Sequence, residues 1–82
     1  MPTVLRIAGL RVVIYPNDHR PAHVHVSGAD SEAVFILHCP DGPPALRESY
    51  GFNLQAIGRI FDALTVHLAA LCKQWSNIHD RY

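Results

Sequence analysis

The sequence predicts an α+β fold, a small mainly antiparallel sheet of four or five strands packed on one long C-terminal helix. Three observations carry that prediction. Turn residues divide the first half into short β-branched runs. The second half repeats apolar residues at steps of three and four. Finally, 82 residues leave room for one core only. Residues 1–82 are therefore read as a single domain, with strands over about 3–50 and a helix over about 53–78.

Each element has its own reason. Thr3 to Ala8 and Arg11 to Tyr15 are β-branched-rich runs around a Gly9-Leu10 turn, which predicts a hairpin. Pro16-Asn17-Asp18 then breaks the ladder with turn chemistry. Ala22 to Ser27 alternates His-Val-His-Val, the period of a strand with unlike faces. After the turn Gly28 to Ser31, the run from Ala33 to Cys39 is apolar on both faces, as in a central or doubly covered strand. Pro40-Asp41-Gly42-Pro43-Pro44 ends it, and a short fifth strand is read around Leu46 to Tyr50.

The helix is read from Leu54, Ile57, Phe61, Leu64, Leu68, Leu71, Trp75 and Ile78, a continuous stripe that serves as core. Asn53 is its N-cap, with Phe52 placed to staple onto Ile57. Gly58 costs the helix about 1 kcal/mol relative to Ala. On the back, Ala63, Val66, Ala69 and Ala70 leave little polar face between Asp62 and Lys73. That predicts cover by a second chain, a homodimer.

Composition agrees with a protein that hides apolar surface: 49% of residues are hydrophobic and 17% charged. Seven basic residues balance seven acidic ones, so no overall field draws the chain to nucleic acid or to a membrane. No basic leader precedes an apolar run, and no apolar stretch reaches the length of a membrane span, which predicts a soluble, non-exported, cytoplasmic protein. Cys39 and Cys72 fit no paired-cysteine motif and sit among apolar neighbours, so they are read as buried thiols. There is no nucleophile elbow, P-loop or dinucleotide fingerprint.

The chemistry gathers in NDHRPAHVHV, residues 17–26, which holds three of the six histidines. Residues two apart on a strand share a face and lie about 6.6 Å apart along it. His23 and His25 are thus neighbours, with Val24 and Val26 on the other face. If the valines face the helix, both imidazoles point to solvent or into a cleft.

Three uses of that pair are open. The first is a zinc, nickel or copper site on His23, His25 and His19, with Asp18 or His38 as further donors. In the second, His23 and His25 serve as acid and base in phosphodiester cleavage, and Arg20, Arg6 or Arg11 meets the phosphate. The third is structural: hydrogen-bonded histidines on a sheet face or interface, with the Asp18 carboxylate capping backbone N–H groups. His67 is read as a packing histidine beside the stripe, and His79 as a partner of the helix C-terminal dipole.

The opening MPTVLRIAGLRVVIYPNDHRPAHVHV, the later ALRESYGFN and the ending LCKQWSNIH resemble the bacterial domain of unknown function 4160 family over essentially the whole chain. The segment NDHRPAHVHV is similar to the family pattern N-D-H-x-P-P-H-x-H-V, with Ala22 standing where a second proline is usual. The two cysteines are not features of the resemblance. It implies a small α+β fold, and it places any family function at Asp18, His19, Pro21, His23 and His25. It also implies a neighbouring small protein of antitoxin type and a toxin-like role in a two-protein toxin–antitoxin module acting on RNA or translation.

On that reading His23 and His25 are the acid–base pair of a ribonuclease-type activity, His19 and Asp18 orient them, and Arg20 meets phosphate. The alternative is a non-enzymatic module whose histidine face binds a partner protein or a divalent transition metal such as zinc.

Overall fold

The computed structural model of the chain describes residues 3–80. Five strands run in chain order across one antiparallel sheet: β1 (Thr3–Ile7), β2 (Leu10–Val13), β3 (His23–Ser27), β4 (Glu32–Ile36) and β5 (Ala45–Tyr50). The expected β1–β2 hairpin is present, with its turn one residue earlier than the sequence suggested. Ala8 and Gly9 both take positive φ, 47° and 86°. Two successive positive φ angles give the primed turn that matches the strand twist, and Gly9 adopts its angle without steric cost. At the far end Gly51 also has positive φ, and a Cβ there would stand 2.6 Å from the Asp30 carbonyl oxygen.

Alternation decides the two faces of the sheet. Val12, Val24, Val26, Ala33 and Phe35 join one core cluster with Ile60, Leu64, Leu68, Leu71, Cys72 and Trp75 from the helices. The register pairs Val13 with His25 and His25 with Val34, which puts the histidines on the opposite face. The valines of β3 therefore do face the helices.

The helical half corrects the expectation of a single helix. It comprises α1 (Leu54–Val66) and α2 (Leu68–His79), which meet at His67 with a bend of 74°. A straight helix over the same residues would run about 39 Å, longer than the 33 Å greatest extent of the molecule. The bend lets Ile60 and Leu64 of α1 and Leu68, Leu71 and Trp75 of α2 reach one core. A local cause sits just before it: the Thr65 hydroxyl donates to the Phe61 carbonyl at 2.9 Å, a back-bond that bends helices. Asn53 caps α1 as expected, its Oδ1 accepting from the Ala56 N–H at 2.8 Å. Among the described residues no single helix is long and apolar enough to cross a membrane.

Three further readings change. Leu54 was assigned to the core stripe and is 89% exposed, whereas Ile60, outside that stripe, is buried. His67 is exposed at the helix junction and is not a packing histidine. Cys39 and Cys72 are not free thiols: they form a disulfide that ties the segment after β4 to α2. They stand 33 residues apart in sequence, and only the folded chain brings their Cα atoms to 5.7 Å.

Candidate functional site: a histidine–aspartate cluster beside a basic cleft

The loop between β2 and β3 builds the site. Asp18 closes a turn on Tyr15: its N–H donates to the Tyr15 carbonyl at 3.0 Å, and its Oδ2 accepts from the Tyr15 N–H at 3.1 Å. The expected capping role of Asp18 is therefore present. That clasp holds the carboxylate over the histidine face of β3. Oδ2 lies 3.5 Å from His23 Nε2 and 3.3 Å from His25 Nε2.

Each ring is held on several sides. The Nδ1–H of His23 donates to the Pro21 carbonyl at 2.8 Å. A carbonyl can only accept, so a neutral His23 carries its lone pair on Nε2, directed at Asp18. The rings of His23 and His25 meet edge to face, with centroids 5.2 Å apart, and Tyr15 lies edge-on to His25 at 4.9 Å. The Trp75 ring of α2 lies 5.3 Å from His23 and stacks on His79 at 3.8 Å. The imidazoles are largely covered, His23 by the core ring of Trp75 among others. His23 is 7% exposed. His25 is half-buried, and neither of its ring nitrogens makes a hydrogen bond. Its Nδ1 has Glu32 Oε2 at 3.6 Å, beyond hydrogen-bond range.

Three ligand-type atoms, one each from Asp18, His23 and His25, thus lie within 4.8 Å of one another. An ideal tetrahedral zinc site with bonds of about 2.0–2.1 Å sets its ligands about 3.3 Å apart. The two carboxylate–imidazole separations, 3.3 and 3.5 Å, already match that spacing. One electron-rich oxygen facing two imidazole nitrogens is stabilised by a cation between them. Fixing Nδ1–H on a backbone carbonyl is the arrangement that presents Nε2 to a metal.

A cleft of about 420 Å³ adjoins the cluster, lined by Asp18, His19, Arg20, His23 and Arg47 with Asn17, Pro21 and Ile36. His19 and Arg20 are exposed on its rim. Arg6 and Arg11 face each other across β1 and β2 and do not line it. His38 lies elsewhere, its Nδ1–H donating to the Pro43 carbonyl.

Arg47 was not anticipated. Leu46 and Glu48 of β5 pair with the adjacent residues Phe35 and Val34, so Arg47 is the extra residue of a β-bulge. Bulges re-aim side chains, and this one delivers Arg47 to the cleft. Nothing in the sequence marks it, because bulge position depends on strand pairing.

Fold and site define a class: a small meander sheet with two helices packed on it and a histidine–aspartate cluster on β3, where His23 meets Trp75 of α2. Residues 9–76 match the family described as domain of unknown function (DUF4160), and the chain belongs to that family. No curated protein and no solved structure matches it.

Proposed function

We propose that the chain is a metal-binding module whose first ligands are Asp18 Oδ2, His23 and His25, with zinc the best-suited ion. The observation that carries this reading is the convergence of three ligand atoms within 4.8 Å. The hydrogen bond that fixes His23 and the unbonded nitrogens of His25 support it. Two imidazoles and one carboxylate suit a borderline ion such as zinc. The trio leaves a fourth position for water or a ligand; His19 lines the adjoining cleft but is not one of the three converging residues. To test this, chelator-stripped protein is titrated with zinc in a calorimeter. One zinc per chain is expected for wild type, with binding about a hundredfold weaker or less for His23→Ala with His25→Ala. Equal affinity for both proteins would overturn the reading.

A second reading is a toxin-like component acting on RNA or translation, with His23 and His25 as acid and base and Asp18 orienting them. The specific support is the pair of guanidinium groups beside His23 in the cleft. This role brings with it a cytoplasmic location, a homodimer and a cognate small antitoxin-type protein. Inducing the gene alone should arrest growth, and the double histidine variant should relieve the arrest. Normal growth at strong induction would sink it.

A further inference from the structure

Two arginines in the cleft lack partners. Among the described residues neither Arg20 nor Arg47 forms an ion pair, and both are exposed. An exposed arginine on a loop, such as Arg20, is ordinary. Arg47 is different, because β5 departs from regular pairing at that residue and the side chain lines the cleft with His23 and Ile36. A regular ladder would have kept the alternation of β5 intact. The bulge therefore gives Arg47 a placement that sheet formation alone does not require.

The cleft's charge is one-sided. Arg20 and Arg47 bring two fixed positive charges, His19 can donate a further hydrogen bond, and Asp18 is the one carboxylate in the lining. Asp18 itself is committed to the Tyr15 N–H and to the histidines. Guanidinium groups offer paired N–H donors that match the oxygens of a phosphate. The volume of about 420 Å³ lies in the range of small-molecule sites and far exceeds what one phosphate ion fills. Pro21 and Ile36 supply apolar wall for an organic remainder.

From this we infer that the cleft is an oxyanion site for a phosphate ester of mononucleotide size, the phosphate lying between Arg47 and Arg20. Resting in this part on the metal reading above, one phosphate oxygen takes the open position of the ion held by Asp18 and His23, which belong to cluster and cleft alike. The ligand contributes charge that the two guanidinium groups and the ion together demand, and no bond need be made or broken for binding.

The experiment uses the intact chain in zinc-free and zinc-loaded forms. Each is titrated with adenosine monophosphate, with inorganic phosphate and with a short single-stranded oligoribonucleotide. Adenosine monophosphate should bind the zinc-free chain, and zinc should tighten binding about tenfold or more. Arg47→Gln should weaken binding about tenfold in both forms, and Arg20→Gln should do the same. Asp18→Asn should abolish the gain from zinc. If zinc fails to bind while the arginine variants still weaken the nucleotide, the metal reading falls and the oxyanion site stands. If zinc binds but Arg47→Gln leaves nucleotide affinity unchanged, this inference is overturned and the metal site stands. Binding of the oligoribonucleotide alone would also overturn it, in favour of a polymer surface. Circular dichroism of the folded Arg47→Gln chain ensures that a loss is not unfolding.

Discussion

The two faces of β3 carry the same backbone and opposite chemistry. Val24 and Val26 are fully buried in the apolar cluster beneath the helices. His23 and His25, one residue away in each case, meet Asp18, Tyr15 and Trp75 on the other side. The valine face is satisfied by contact alone, since dispersion and water exclusion need no particular partner. The histidine face is largely covered yet leaves polar atoms unbonded, which an apolar core would not tolerate without compensation. The difference separates a face closed by apolar contact from one that keeps polar atoms available.

Five substitutions sharpen that contrast, taken from the largest effect down. Trp75 belongs to both regions, being buried in the core and set against His23. Trp75→Ala should cost about 3–5 kcal/mol of stability in urea unfolding and also weaken zinc binding. A loss of stability with unchanged zinc affinity would separate the two regions. Breaking the Cys39–Cys72 link, which closes a 33-residue span, by the double serine variant should cost about 4 kcal/mol, seen as a lower urea midpoint. A midpoint that does not move would show that the link adds nothing in the unfolded chain.

Val24→Ala removes buried methyl groups and should cost about 2 kcal/mol while leaving zinc affinity alone. Asn53→Ala removes the N-cap of α1 and should cost about 1 kcal/mol, again without effect at the cluster. His25→Leu gives the smallest change in stability. Its ring nitrogens make no hydrogen bond, so the metal-free variant should stay within about 0.5 kcal/mol of wild type or exceed it. The same variant should lose zinc binding. A large loss of metal-free stability would mean that His25 is a structural residue after all.

The strand half and the proximity of Asp18, His23 and His25 were legible in the sequence because both rest on local signals. Period-two alternation placed His23 with His25 and Val24 with Val26, and the turn residues before Asp18 put its carboxylate close by. What escaped depends on the folded chain. The apolar stripe runs through His67 unbroken, so periodicity cannot register a bend imposed by a core shorter than the helix. Cysteine spacing does not reveal that Cys39 and Cys72 meet across the fold. Arg47 reaches the cleft through a bulge, and Trp75 meets His23 from a helix that follows a 74° bend; neither follows from residue type. Alternation named the face of the histidines but not their cover.

The central claim is that Asp18, His23 and His25 hold one ion together. X-ray absorption at the zinc edge on the loaded chain tests it most directly. The account predicts a first shell containing two imidazole nitrogens and carboxylate oxygen at about 2.0–2.2 Å, with the imidazole signature lost in His23→Ala with His25→Ala. A shell of water and exposed carboxylate oxygens, the same in wild type and variant, would contradict it.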